Sequence, residues 1–376
     1  MQFYRLSDAG SPNAFVAACY EASTTIARIA YHPVIGMGRD RSNALLTADA
    51  RLVAHGHTDA AAHYASFEPS VQELMKDIPK ETMKPGDTYI FSDPYRTGSH
   101  VNDVRMIRPI FFEDEIVAFA CTVIHWADMG GPMPGTFNPE ATSCYAEGIR
   151  IPPTRLFKNN ELDEELFALI EINIRGAVER RADLRAQFEA SRLIDRRVTE
   201  LCERYGAETL KLAFEEQFDY TERLMLAELA ELPDGEWEFD DYGDQDVMTE
   251  GKPPIKVHCK LTKKGTQLTF DWTKSDPQPR ASWGGSRATL IGGNYLGFMI
   301  CFPQLFPLNH GIIRNLEVIS KPGTCVDVVF PAPTTGYCSG AFDKVEAVSI
   351  ACLAGPMAKV QPWRVYPAAV SLTNLC

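Results

Sequence analysis

The chain has ten cysteines but no Cys-x-x-Cys pair, which argues against a thiolate zinc cage or a redox dithiol. It has no Walker A loop, and neither Gly284–Arg287 (GGSR) nor Gly292-Gly293 has the spacing of a phosphate cradle. Any use of ATP therefore calls for a second protein. No apolar run approaches the ~20 residues that cross a bilayer. The opening MQFYRLSDAG lacks the basic-then-apolar order of an export signal. Net charge is −13 and no basic cluster lies beside an aromatic platform, so nucleic acid and anionic membrane are poor partners. A cytoplasmic location with reduced, mostly buried thiols is the expectation. Cys144, beside Tyr145, has no sequence neighbour that would lower its pKa, so burial is expected of it and not nucleophilic chemistry.

What the chain does contain is a globular composition: 376 residues, 45% hydrophobic and 23% charged. That length exceeds one simple core, and two or three lobes are expected. Residues 13–31 carry an apolar helical face that stops at His32-Pro33. Leu45–His55 reads as a hairpin turning at Asp49-Ala50, Pro69–Ile78 as a short amphipathic helix, and Thr88–Phe91 as a strand. Met129–Pro153 is rich in Gly and Pro, and a loop that long is usually functional. From Leu162 to Leu232 the apolar spacing is helical, broken at Gly206 and ended by Pro233-Asp234-Gly235. Arg175, Arg180, Arg181 and Arg185 crowd this stretch. A salt-bridged helix face is the first expectation for them, and contact with a partner or an anionic substrate is the second. Further on, Ile255–Leu261 and Leu268–Trp272 alternate about Lys263-Lys264-Gly265 as a hairpin. Periodicity leaves Ile291–Phe302 open between helix and strand. The expected fold class is α+β, with a mixed α/β metal-binding region at 1–158, a helical segment at 159–232 and a β-rich region at 233–376.

The most informative feature is a pair of His-x-x-Asp motifs, His100/Asp103 in SDPYRTGSHVND and His125/Asp128 in TVIHWADMGG. Between them lie two apolar, β-branched-rich runs, Val104–Phe112 and Ile116–Ile124, around Glu113–Glu115. These read as one antiparallel hairpin. With a three-residue loop Phe112 pairs with Ile116, and the register then sets Asp103 opposite His125. Opposed residues hold their β-carbons ~4.5–5.5 Å apart, close enough to share one cation. Val117, Phe119, Cys121, Val123 and His125 are expected on one face, and Pro109 marks an edge or a bulge. His100 precedes the first strand, and Asp128 lies in the turn before Gly130-Gly131. Imidazoles with carboxylates suit Zn, Mn or Fe. The competing reading makes these residues sheet and turn caps.

Further stretches extend the pattern: Gly38–Ser42 (GRDRS), His63–Ser66 (HYAS), Glu147–Pro153 (EGIRIPP), Ala182–Gln187 (ADLRAQ) and Ser275–Gln278 (SDPQ). With SDPYRTGSHVND and HWADMGGPMPG, the chain resembles the hydantoinase B/oxoprolinase family in that family's motif order. The resemblance implies the metal-bearing subunit of ATP-dependent hydantoinases and oxoprolinases, with related subunits in caprolactamase and in acetone and acetophenone carboxylases. It implies that Asp40, His100, Asp103 and His125 hold a divalent cation. It marks Asp128 and His63 as candidates for orienting those ligands or moving a proton. Two departures stand out. Trp126 occupies a position where members often carry a second histidine, which is expected to alter pocket shape or substrate. Members also run on into a glycine-rich C-terminal region, so a truncated or divergent chain is expected.

The function implied is hydrolysis of a cyclic amide after phosphorylation by an actin-like ATPase subunit of the hydantoinase A type, within a hetero-oligomer. ATP would enter through that partner. The alternatives are ATP-dependent ketone carboxylation and an inactive structural subunit.

Overall fold

A computed structural model describes residues 14–365, apart from 57, 61, 62, 97, 245–247, 249, 250, 252 and 303–306. Helix α1 (Ala14–Ile29) buries Phe15, Cys19, Ala22 and Ile26, the one-face spacing read from the sequence. Strands β1 (Arg41–Thr47) and β2 (Leu52–His55) form the expected hairpin, with Ala50 at φ 69° in its turn. Helix α2 starts earlier than expected and spans Tyr64–Asp77. Proline usually marks a first turn, but Pro69 sits inside this helix and forgoes a backbone bond.

Strands β3 (Thr88–Phe91), β4 (Asp103–Phe112) and β5 (Glu115–His125) follow. In the β4–β5 hairpin Asp103 lies opposite His125, as expected, but by another route. The turn is the pair Glu113-Asp114, with Glu113 at φ 54°, so Phe112 meets Glu115 and not Ile116. The register then shifts beyond Phe111, with Val117 as the extra residue, and the two differences cancel. Val117 accordingly joins a different core cluster from Phe119, Cys121 and Val123. Pro109 pairs with Phe119 but lies past Arg105–Ile107, the residues paired with β3, so it interrupts none of those pairs.

Strands β6 (Thr154–Lys158) and β7 (Glu161–Leu162) complete a seven-stranded sheet of order β2-β1-β5-β4-β3-β6-β7. Next come α3 (Glu164–Glu171), α4 (Ala177–Tyr205) and α5 (Ala207–Glu231), with Gly206 at φ 83° between the last two. Leu184, Phe188, Ile194 and Val198 of α4 share one core with Ile90, Val104 and Ile124 of the sheet. Gln187 pins α4 to the hairpin by donating to the carbonyls of Val104 (2.9 Å) and Thr122 (3.1 Å). Three of the four arginines of this region are ion-paired, Arg175 with Asp128, Arg180 with Asp183, and Arg181 with Glu164 and Glu171, while Arg185 is exposed.

A second sheet contains β8 (Gly235–Gly243), β9 (Ile255–Lys264), β10 (Gln267–Asp271) and β11 (Leu316–Ile319), in the order β11-β10-β9-β8. The ambiguous run Ile291–Phe302 is helical up to Cys301, within α6 (Arg287–Cys301), which Ser286 caps at the Thr289 N–H. Helix α7 (Ala341–Val360) crosses α6 closely. A β-carbon at Gly293 would stand 2.9 Å from Val345, and one at Gly297 2.7 Å from Ser349, so glycine sets the helix separation. Among the described residues no helix is long and apolar enough to cross a membrane. The nine described cysteines are all free.

Candidate metal centre

Sheet register explains why the carboxylates and imidazoles meet. β1 pairs with β5 so that Arg41 lies opposite Ile124, and His125 N–H donates to the Asp40 carbonyl at 3.1 Å. Asp40, His125 and Asp103 thus form a row across three neighbouring strands at one end of the sheet. Asn102 locks the hairpin just beyond: its carbonyl accepts from Trp126 N–H, and its amide donates to the Trp126 carbonyl, both at 2.8 Å. His100 comes from the turn before β4, and His63 from the residue preceding α2.

Asp103 is the hub. Its Oδ1 lies 2.9 Å from His100 Nε2, 3.5 Å from His63 Nε2 and 3.8 Å from His125 Nδ1. Asp40 closes the ring, with Oδ1 3.5 Å from His63 Nε2 and Oδ2 3.6 Å from His125 Nδ1. The Asp103 side chain is 1% exposed, and Ser99 donates to its Oδ2. Burial pushes the Asp103 carboxyl up, but His100 and His63 outweigh it and hold the group well below the usual carboxylate range. Burial likewise pulls His63 and His125 down, while Asp103 and Asp40 outweigh it and raise both.

Several of these contacts are too long for good hydrogen bonds. His125 Nδ1 is buried without a hydrogen-bond partner. The Ser42 hydroxyl donates to the Ala60 carbonyl at 3.0 Å, so its oxygen accepts from His63 Nδ1 at 2.9 Å. Neutral His63 then directs the lone pair of Nε2 toward two carboxylates. Lone pairs and carboxylate oxygens facing one another across gaps of 3.5–3.8 Å are the arrangement that a shared cation satisfies. The donor set fits a divalent ion. Ligand atoms of His100, Asp103 and His125, and of Asp40, His63 and Asp103, lie within 4.8 Å of one another.

Asp128 stands apart in role. Its oxygens accept from Gly130 N–H (2.7 Å), Gly135 N–H (2.8 Å) and Arg175 Nη1 (3.0 Å). Burial would raise its pKa, but those donors hold it below the ordinary value. A carboxylate so occupied shapes the Met129–Gly135 turn and is a poor base. Trp126 does not touch the pocket either. It is fully buried in the core that contains Val104 and Leu184, since alternation sends it to the face opposite His125. The expected effect of Trp126 on pocket shape is therefore not seen. Cys144 is buried, and burial raises its thiol pKa, as expected of an inert cysteine.

The cluster opens into a cavity of about 660 Å³ whose lining includes Asp40, His63, His100 and His125. Sequence reasoning missed Tyr337, which also lines it. The Tyr337 ring packs edge-on against His100 at 5.1 Å between centroids, and Ser99 neighbours its hydroxyl. It comes from the 3₁₀ turn Thr335–Ser339, which has no periodicity to read. Gly336 fixes that turn, because a β-carbon there would fall 1.8 Å from the Ser282 carbonyl oxygen. Gly336→Ala is expected to cost about 2–3 kcal/mol and to weaken turnover by displacing Tyr337. Denaturant midpoints and steady-state kinetics on the same variant check both effects.

A family model described as hydantoinase B/oxoprolinase matches residues 11–374. The chain belongs to the hydantoinase B/oxoprolinase family. One component of a putative D-/L-hydantoinase from Pseudomonas sp. (strain NS671) is 27% identical over 329 residues, which cover 84% of this chain and 55% of that protein. The crystal structure of an ATP-dependent caprolactamase from Pseudomonas jessenii superposes with a TM-score of 0.84 at 27% identity, covering 92% of this chain and 59% of that one. The nucleotide-free structure of an acetone carboxylase gives a TM-score of 0.85 at 16% identity, with 94% and 48% covered, and so shares the fold. This family member spans about half the length of the curated relatives it matches.

Proposed function

We propose that the chain forms the metal-bearing part of the catalytic subunit of an ATP-dependent cyclic-amide hydrolase. The observation that carries this reading is the gathering of three imidazoles and two carboxylates, Asp40 and Asp103, in one cluster that borders a ligand-sized cavity. Asp40, His100, Asp103 and His125 would hold Zn, Mn or Fe. Such an ion, when bound, supplies Lewis acidity that polarises a carbonyl or acidifies a water. His63 is the remaining group at the cluster able to carry a proton on Nε2, with its ring fixed by Ser42. Asp128, the other candidate, would keep the orienting role, since its oxygens are taken by Gly130, Gly135 and Arg175. Tyr337 would orient the substrate carbonyl by hydrogen bonding.

An amide is a poor electrophile at neutral pH, and a partner ATPase of the actin-like, hydantoinase A type would supply the activation by phosphorylating its oxygen. The relatives named as ATP-dependent enzymes and as subunits support a hetero-oligomer of this kind. The test is turnover by the reconstituted pair. His100→Ala should abolish ATP-dependent ring opening while leaving the circular dichroism spectrum intact; unchanged turnover would refute the role. Acetone or acetophenone with bicarbonate serves as the control for carboxylation.

A further inference from the structure

Besides the imidazoles the cavity has an apolar lining of Val34, Ala127, Phe137, Leu296 and Phe342, of which Leu296 from α6 and Phe342 from α7 form a wall. A ladder of rings runs from the imidazoles to Phe342. Centroids are 5.0 Å apart from His125 to His100, 5.1 Å from His100 to Tyr337 and 5.9 Å from Tyr337 to Phe342. The close α6–α7 crossing at Gly293 and Gly297 holds that wall in place. An apolar cavity of ~150 Å³ already accommodates benzene, whereas this one measures about 660 Å³. A bare five-membered cyclic amide held at the imidazoles would leave most of it filled with water against an apolar surface.

Charge points the same way. Asp40 and Asp59 line the cavity, and among its described lining residues the one permanently cationic side chain is Arg39, on an exposed stretch. A substrate carboxylate would find no buried guanidinium or ammonium to pair with.

We infer that Leu296 and Phe342 are specificity-determining residues that select a neutral cyclic amide carrying an apolar aryl or alkyl substituent over a bare or carboxylate-bearing ring. The inference rests on the cyclic-amide reading for its reactive end only; the wall itself is a property of the cavity.

The full protein in complex with its ATPase partner is the sample. Calorimetric binding and ATP-dependent turnover are measured with hydantoin, 5-benzylhydantoin and 5-oxoproline. A single methylene in an apolar pocket discriminates by ~10–200-fold. The benzyl compound should therefore exceed the other two by at least about 100-fold in affinity or kcat/KM. Leu296→Gln should narrow that ratio about tenfold or more through KM. Phe342→Leu, which keeps the buried volume nearly filled, should narrow it less. Equal binding of hydantoin and 5-benzylhydantoin, or a ratio unmoved by Leu296→Gln, would overturn the inference. Tight binding of the benzyl ring without ATP-dependent ring opening would refute the hydrolase reading and uphold the wall.

Discussion

Asp103→Asn should lower both metal affinity and turnover by at least about 100-fold, because altering a group that merely supports a ligand already costs 10–100-fold. The substitution keeps the side-chain shape but removes the one charge to which His100, His63 and His125 all turn. It should also change how stability of the metal-free protein depends on pH. In the wild type His63 and His125 have raised pKa values. Their contribution to stability is fully present below the unfolded value of ~6.5 and is lost as pH rises through the folded values. Asp103 acts in the other direction. Its depressed pKa stabilises above the unfolded value of ~3.9, and that contribution is lost as pH falls through the folded value. Metal-free wild type should therefore melt at falling temperature as pH rises above about 6.5, and Asp103→Asn should flatten that slope. Metal uptake should run oppositely, strengthening over the same range as the imidazoles lose their protons. Melting curves and metal titrations across that range measure both slopes, and parallel slopes would contradict the assignment.

The second large effect is expected far from the imidazoles in sequence. Glu147, in the EGIRIPP stretch, is fully buried and accepts from Thr334 N–H at 2.8 Å, Thr335 N–H at 2.7 Å and the Ser282 hydroxyl at 2.6 Å. It staples the long Gly/Pro-rich loop to the turn that carries Tyr337. Glu147→Gln presents an amide N–H to one of those N–H groups and leaves a buried donor unpaired. A cost of about 3 kcal/mol is expected, visible as a lower denaturation midpoint. The loosened turn should raise KM for any substrate that reaches Tyr337. An unchanged midpoint would show that the staple carries no stability.

The hairpin was legible in the sequence because alternation of Phe119, Cys121, Val123 and His125 against a fixed turn leaves few registers. Yet Asp103 reached its partner through a shorter turn and a bulge at Val117, neither of which alternation reveals. Local apolar spacing likewise located α1, α4, α5 and the β9–β10 hairpin. Non-local pairing was not legible. Asp40 entered the site through family resemblance, because nothing in GRDRS announces that β1 will pair with β5. Tyr337 was missed for the same reason, since a short 3₁₀ turn from the second half reaches the cluster only through the packing of α6 and α7. Asp128 shares the His-x-x-Asp spacing of Asp103, but two glycine N–H groups and Arg175 claim it. Spacing identifies which residues can meet, and competing donors decide what they do.

X-ray absorption spectroscopy of the protein loaded with one equivalent of Zn or Mn tests the shared site most directly. The predicted spectrum has an all-nitrogen-and-oxygen first shell with the outer scattering of two imidazoles, and Asp103→Asn diminishes uptake. A sulfur shell, a spectrum without imidazole scattering, or a chain that takes up no divalent ion would contradict it.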